Sequence, residues 1–169
     1  MGWPQWIVLL VALQRVAELF VARRNMARLL AAGAREHGSG HYPLLVLLHA
    51  GWLIALFVLV PEDAPIDLPL LAAFLVLQAG RIWVVATLGR FWTTRIVSLD
   101  GAPLVRRGPY RWLRHPNYLV VVLEIAVLPL AFGAWEIALA FSALNLPLIA
   151  WRIHVESRAL AGRRADAGP

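Results

Sequence analysis

Long apolar runs, interrupted by short polar stretches, divide the chain into five segments: Trp6 to Ala22, Pro43 to Val60, Leu68 to Leu88, Tyr118 to Phe132 and Trp135 to Trp151. A helix crossing a bilayer needs about 20 residues, within a range of about 17–25. The first three runs reach that length and the last two are shorter. Separated only by Gly133 and Ala134, those two read as a tight helical hairpin that spans with little tilt or thins the bilayer locally. The pattern predicts an all-α integral membrane protein with five transmembrane helices in one membrane domain over residues 1–169. Residues 1–89 carry three helices, 90–160 a loop, the hairpin and a C-terminal segment, and 161–169 a flexible tail. The first run is not a cleaved signal peptide, because its arginines follow the apolar stretch.

Composition agrees: 60% of residues are hydrophobic, against about 45–50% in a soluble domain, and the mean hydropathy is +0.68. The absence of cysteine excludes disulfides, thiolate nucleophiles and thiolate-ligated metals. All 16 basic residues are arginine, a codon bias that points to a GC-rich bacterial genome. Their placement adds orientation. Arg23, Arg24, Arg28 and Arg35 follow the first run, Arg90, Arg95, Arg106, Arg107, Arg111 and Arg114 follow the third, and Arg152, Arg158, Arg163 and Arg164 follow the fifth. The stretch between the second and third runs, PEDAPIDLP, is acidic and holds no arginine. The positive-inside rule then puts the N-terminus outside and the C-terminus in the cytoplasm, in a bacterial inner membrane.

Polar residues inside the runs share one leaflet. At 1.5 Å per residue, Arg15, Glu18, His49, Arg81, Glu124 and Asn145 lie roughly 6–13 Å below the cytoplasmic ends of their helices. Ionisable groups at such depth face a partner or a wet cavity. This shared level predicts a polar cavity open to the cytoplasm, with Arg15–Glu18 and Arg81–Glu124 ion pairs as the structural alternative.

At the mouth of that cavity stands RGPYRWLRHPNY, residues 107–118. Pro116 suits the first position of a helix and biases His115 to an extended conformation before it. The helix N-terminus that results favours an anion, a carboxylate or a phosphate, with Arg114 and His115 beside it and Arg107 and Arg111 upstream. Gly108 and Pro109 allow a tight turn, and the rings of Tyr110, Trp112 and Tyr118 offer stacking surfaces. The same residues would otherwise form an interfacial belt meeting anionic membrane lipids.

The stretch from LGRFWTTRIVSLDG through GPYR and RHPNY, followed by NLPLIAWRIHVESRAL, resembles the isoprenylcysteine carboxyl methyltransferase family of integral membrane methyltransferases. It is most like the short bacterial members that resemble alkylpyrone O-methyltransferases. The likeness covers Leu88 to Leu160. It implies an S-adenosylmethionine-dependent methyltransferase that leaves S-adenosylhomocysteine. His115 and Tyr118 are implied as cofactor contacts, with Gly108, Pro109, Tyr110, Arg114 and Pro116 forming the pocket and Trp112 or Trp92 providing an adenine slot. The carboxylate of the cofactor suits a helix N-terminus flanked by His and Arg.

In the family's C-terminal motif an arginine precedes paired glutamates. Here Arg152 and Glu156 match as the catalytic pair, while Ser157 stands at the second glutamate position. The methyl acceptor is then an oxygen of a lipophilic small molecule. A carboxylate would be oriented by Arg152, and a phenol or enol would use Glu156 or His154 as base. Further substrate contacts are expected from Trp92, Arg95, Arg81, Glu124 and Asn145.

Other classes fit less well. A transporter needs a polar path through the outer leaflet, a structural subunit leaves GPYR and RHPNY unaccounted for, and a nicotinamide-dependent lipid reductase lacks a glycine fingerprint. Nucleic acid is not an expected partner, because the basic loops lie where membrane topology already requires them. No metal is expected.

Overall fold

The computed structural model describes residues 1–38, 40, 42–102 and 104–159, so the tail expected to be flexible lies outside the described residues. Five helices follow one another: α1 Trp3–Ala31, α2 Tyr42–Leu59, α3 Leu68–Leu88, α4 Pro116–Ala131 and α5 Trp135–Ala159. Three of the starts have a local cause. Proline occupies the first turn of α1, α3 and α4, where its missing N–H costs nothing, and the Asp67 carboxylate caps α3 by accepting from the Leu70 amide at 2.9 Å. Gly133, at φ +70°, lets the chain turn between α4 and α5, where the Ala134 amide donates to the Pro129 carbonyl at 2.9 Å.

Two helices are longer than their apolar runs. α1 continues past Ala22 to Ala31, so Arg23, Arg24 and Arg28 project from a helical extension instead of a loop. Arg, Ala, Met and Leu all favour helix, and no breaker occurs before Gly33. α5 reaches Ala159, which corrects the expectation of a short fifth span and places Arg152 and Glu156 one turn apart on a continuous helix. α1, α2, α3 and α5 have the length and composition to cross a membrane, whereas α4 has 16 residues. The fold is all-helical, as expected, apart from one short strand pair. Strands β1 Arg35–His37 and β2 Ile96–Ser98 pair antiparallel, with Glu36 opposite Val97, and His37 Nε2 lies 2.8 Å from Ser98 Oγ. Three-residue strands carry no periodicity that hydropathy would reveal.

Polar contacts define two opposite ends. At one, the Met1 amino group meets Glu62 at 2.6 Å, Gln5 Nε2 donates to the Val60 carbonyl at 2.8 Å, and the Asp67 amide donates to the Ala131 carbonyl at 2.8 Å. At the other, Asn25 Nδ2 donates to the carbonyls of Gly89 and Trp92, each at 2.9 Å, near the β1–β2 pair. Successive helices therefore alternate in direction. Trp52, Leu56, Phe74, Ile125 and Leu128 form the centre of the bundle, while Leu13, Leu47, Val58, Val76 and Leu139 point outward. Only 17–28% of the most apolar 18-residue window of each candidate span is buried, the pattern of helices whose outer faces meet lipid.

Within the bundle the polar residues of α1, α3 and α4 pair with one another. Arg81 donates to Glu18 through Nε at 2.8 Å and Nη2 at 2.6 Å, and reaches Glu124 through Nη1 at 3.4 Å. Arg15 donates to Glu124 at 2.8 Å and to Glu18 at 3.2 Å, and Gln78 adds a 2.8 Å bond to Glu124. Two cations and two anions form one neutral cluster, so the ion pairs of the structural alternative are present.

Candidate active site

The segment between α3 and α4 folds over the end of the bundle that bears the arginines. Asn25 holds the backbone at Gly89 and Trp92, and the 3-10 turn Gly108–Arg111 packs on α3. Gly108 adopts φ +56°, and a Cβ placed on it would stand 2.6 Å from Thr87 Oγ1. Conformation and space both demand glycine there. Gly108→Ala is expected to lower stability by about 1–3 kcal/mol. The control is Gly133→Ala, which has a similar φ and nothing within 4 Å of its Cβ. A thermal midpoint for Gly108→Ala no lower than the control's would refute the close packing.

Beyond this turn, Tyr110 is half-buried, and burial together with the negative charge of Glu156 pushes its phenol up, so it stays protonated. Pro116 opens α4 with His115 just outside the helix, in the placement that the HPN step predicts. His115 and Tyr118 stack with ring centroids 5.5 Å apart. The Tyr118 hydroxyl accepts from Arg152 Nε at 2.9 Å and donates to Glu156 Oε2 in a short bond. Glu156 Oε1 stands 3.7 Å from His115 Nδ1, an ion-pair distance and not a hydrogen bond. Arg152 Nη2 donates to the Thr94 carbonyl at 2.7 Å. RHPNY and the Arg152–Glu156 turn, far apart in sequence, thus form one constellation.

Two cavities adjoin it. The larger, about 500 Å³, lies beneath the segment between α3 and α4 and is lined by Phe91, Arg95, Ile96, Leu104, Val105, Tyr110, Arg114, His115 and Glu156 among others. The smaller, about 300 Å³, lies among α1, α2, α4 and α5 and is lined largely by Ala12, Val16, Leu19, Leu45, Val46, Ala50, Leu53, Val121 and Ile149, with Arg15, Glu18, His49 and Arg81 on its polar side. Trp92, Thr93, Asn117, Tyr118 and Arg152 belong to both. Val16 on α1 and Val46 on α2 line the smaller cavity and are themselves exposed.

The predicted site residues separate on this framework. Tyr110, Arg114, His115, Tyr118, Arg95, Trp92, Arg152 and Glu156 line the larger cavity. Gly108, Pro109 and Pro116 shape the backbone beside it. Of the two tryptophans expected as an aromatic slot, Trp92 is 3% exposed and lines both cavities, whereas Trp112 is 69% exposed and packs against Trp83 at 6.1 Å. Arg95 is further held by Glu36 at 2.9 Å and lies over the Tyr42 ring. Arg81 reaches the smaller cavity, while Glu124 and the fully buried Asn145 line neither. His154 is exposed and lines neither. Sequence reasoning missed Asn117, Thr93 and Asn25. Asn117 is the variable position of RHPxY, and nothing in its local sequence sets it apart.

The larger cavity suits S-adenosylmethionine. Its volume falls within the range of about 300–1,000 Å³ typical of ligand pockets. Arg114, His115 and the start of α4 offer partners for a carboxylate, and Glu156 one for an ammonium. Trp92 Nε1, His115 Nδ1 and Asn117 Oδ1 are buried polar atoms without a hydrogen-bond partner among the described residues. Buried polar groups are rarely left unpaired, and a bound polar ligand would satisfy these.

Comparison with known proteins supplies the family. YpbQ, an uncharacterized protein of Bacillus subtilis, is 38% identical over 160 residues, covering 92% of this chain and 95% of its own. An uncharacterized protein of Haemophilus influenzae is 26% identical over 155 residues, covering 87% and 88%. No solved structure matches. The sequence pattern of the isoprenylcysteine carboxyl methyltransferase family matches residues 70–162, which hold α3 from Leu70 onward, the GPYR turn, RHPNY and the Arg152–Glu156 pair. The chain belongs to that family, a family of membrane methyltransferases that use S-adenosylmethionine.

Proposed function

We propose that the protein is a five-span membrane O-methyltransferase that holds S-adenosylmethionine in the larger cavity and a lipophilic acceptor in the smaller one. The observation that carries this reading is the shared wall. A polar cavity at the arginine-rich end meets a largely apolar cavity, walled by the exposed Val16 and Val46 among others, at Trp92, Thr93, Asn117, Tyr118 and Arg152. A water-soluble cofactor and a membrane-dissolved substrate then approach from different phases and meet at one surface. The described arginines of the extended α1, of the segment before α4 and of the end of α5 lie at that end, which supports a cytoplasmic C-terminus and an external N-terminus. α4, about 24 Å long, completes the five spans as the short arm of the hairpin with α5.

When bound, the cofactor supplies an electrophilic methyl group on a sulfonium. Arg114, His115 and the first turn of α4 take its carboxylate, Trp92 walls its adenine, and Glu156, which lines only the larger cavity, takes its ammonium. Arg152 lines both cavities and orients the acceptor oxygen. Tyr118, bonded to Arg152 and Glu156 together, keeps the two sides in register, the positioning on which in-line displacement depends.

Calorimetric titration of S-adenosylhomocysteine into detergent-purified protein tests the reading. Wild type is expected to bind, and His115→Ala and Glu156→Ala to weaken binding at least tenfold, since each removes a charged or hydrogen-bonding partner. A well-folded wild type that does not bind would end the proposal.

A further inference from the structure

A neutral acceptor hydroxyl must lose a proton, and the larger constellation offers no base on the substrate side. Glu156 does not line the smaller cavity and is bonded to Tyr118, while His154 points away from both cavities. Glu18, the carboxylate that does line it, has its oxygens committed to Arg15, Arg81 and Gln14.

His49, on α2, remains. Its Nδ1 lies 2.8 Å from the Leu45 carbonyl. A carbonyl oxygen only accepts, so Nδ1 carries the proton of that bond, and in the neutral ring Nε2 bears a lone pair. Nε2 has no hydrogen-bond partner among the described residues, and the ring is part of the smaller cavity's wall. Arg15 is on the same wall, with its terminal nitrogens held by Glu18 and Glu124. Tyr42, Arg81, Tyr118 and Arg152 are the other titratable groups on this wall.

We infer that His49 is the general base of the reaction and that it selects acceptors bearing an acidic hydroxyl, a phenol or an enol, over carboxylates. The inference rests on the two-cavity methyltransferase reading. A carboxylate has no proton to donate to Nε2 and meets its lone pair, whereas a hydroxyl donates to it directly. In the step itself the substrate O–H bond breaks, the proton passes to Nε2, and the electron pair stays on oxygen as the nucleophile, oriented by the Arg152 guanidinium that lines both cavities. The imidazolium then returns its proton to water.

The test is calorimetric, with 4-hexylphenol, its methyl ether 4-hexylanisole and 4-hexylbenzoate as probes. Wild type is expected to bind the phenol about tenfold more tightly than the other two, the effect of one added hydrogen bond in an apolar site. His49→Ala is expected to erase that preference while S-adenosylhomocysteine binding stays within twofold. Labelled-histidine NMR adds a readout that needs no variant: 4-hexylphenol, but not 4-hexylanisole, should shift the His49 Nε2 resonance. A phenol preference that survives His49→Ala, a benzoate that binds more tightly than the phenol, or an unmoved Nε2 resonance would each overturn the inference. Absence of S-adenosylhomocysteine binding would instead strike the methyltransferase reading and leave the hydroxyl preference standing as a property of the cavity.

Discussion

Glu124→Ala is expected to destabilise the protein by about 3–5 kcal/mol, the effect of removing one partner from a buried ion pair. The Glu124 side chain is 3% exposed and accepts from Arg15, Arg81 and Gln78. Its loss leaves two guanidiniums facing one carboxylate in the interior of the bundle, where an uncompensated charge is least tolerated. The comparison is Glu36→Ala, which breaks the Arg95–Glu36 pair at the surface, where the Arg95 side chain is 44% exposed. That pair contributes at most about 1 kcal/mol, because water screens it. Thermal midpoints in detergent, read from tryptophan emission, compare the two. If Glu124→Ala falls no further than Glu36→Ala, the four-residue cluster is not a buried network. Glu124→Gln should lie between them, since it keeps the shape and a hydrogen-bond acceptor but loses the charge.

Arg152→Ala should reduce methyl transfer by about 10²–10³-fold, as removal of a single preorganised donor does elsewhere. One guanidinium bonds the Tyr118 hydroxyl at 2.9 Å and the Thr94 carbonyl at 2.7 Å while lining both cavities. Without it, Tyr118 keeps only Glu156, and the wall between the cavities loses its cation. Arg152→Lys should not restore the rate, because an ammonium lacks the planar fork that serves two acceptors in fixed directions. Transfer of labelled methyl from S-adenosylmethionine to 4-hexylphenol gives the rate. A lysine variant at more than a tenth of the wild-type rate would show that charge suffices and that the fork geometry is dispensable.

Much of the architecture was legible because its causes are local. The five apolar runs correspond to α1–α5. Pro116 opened α4 where a proline should, and Arg152 and Glu156 share a helix face because residues four apart always do. The ends of α1 and α5 were not legible in hydropathy, since Arg23–Ala31 and Arg152–Ala159 remain helical after leaving the apolar region. Hydropathy reports where a helix leaves lipid, and helix propensity decides where it stops.

The distribution of polar residues between roles was decided in three dimensions. Arg15, Glu18, Arg81, His49, Glu124 and Asn145 lie at similar depth, and depth alone treats them alike. The rotation of each helix about its axis sent Arg15, Glu18, Arg81 and Glu124 into one neutral cluster, turned His49 toward a cavity, and buried Asn145 away from both. In the same way, Trp92 and Trp112 are equal candidates along the chain. Only the fold of the segment after α3, held by Asn25, buries one and exposes the other. What the sequence by itself determined is the set of elements, their likeness to membrane methyltransferases and the chemistry available at RHPNY and Arg152–Glu156, because spacing and residue type act over a few residues. Which of those groups face each other, and that two cavities share one wall, was settled only when helices distant in the chain packed together.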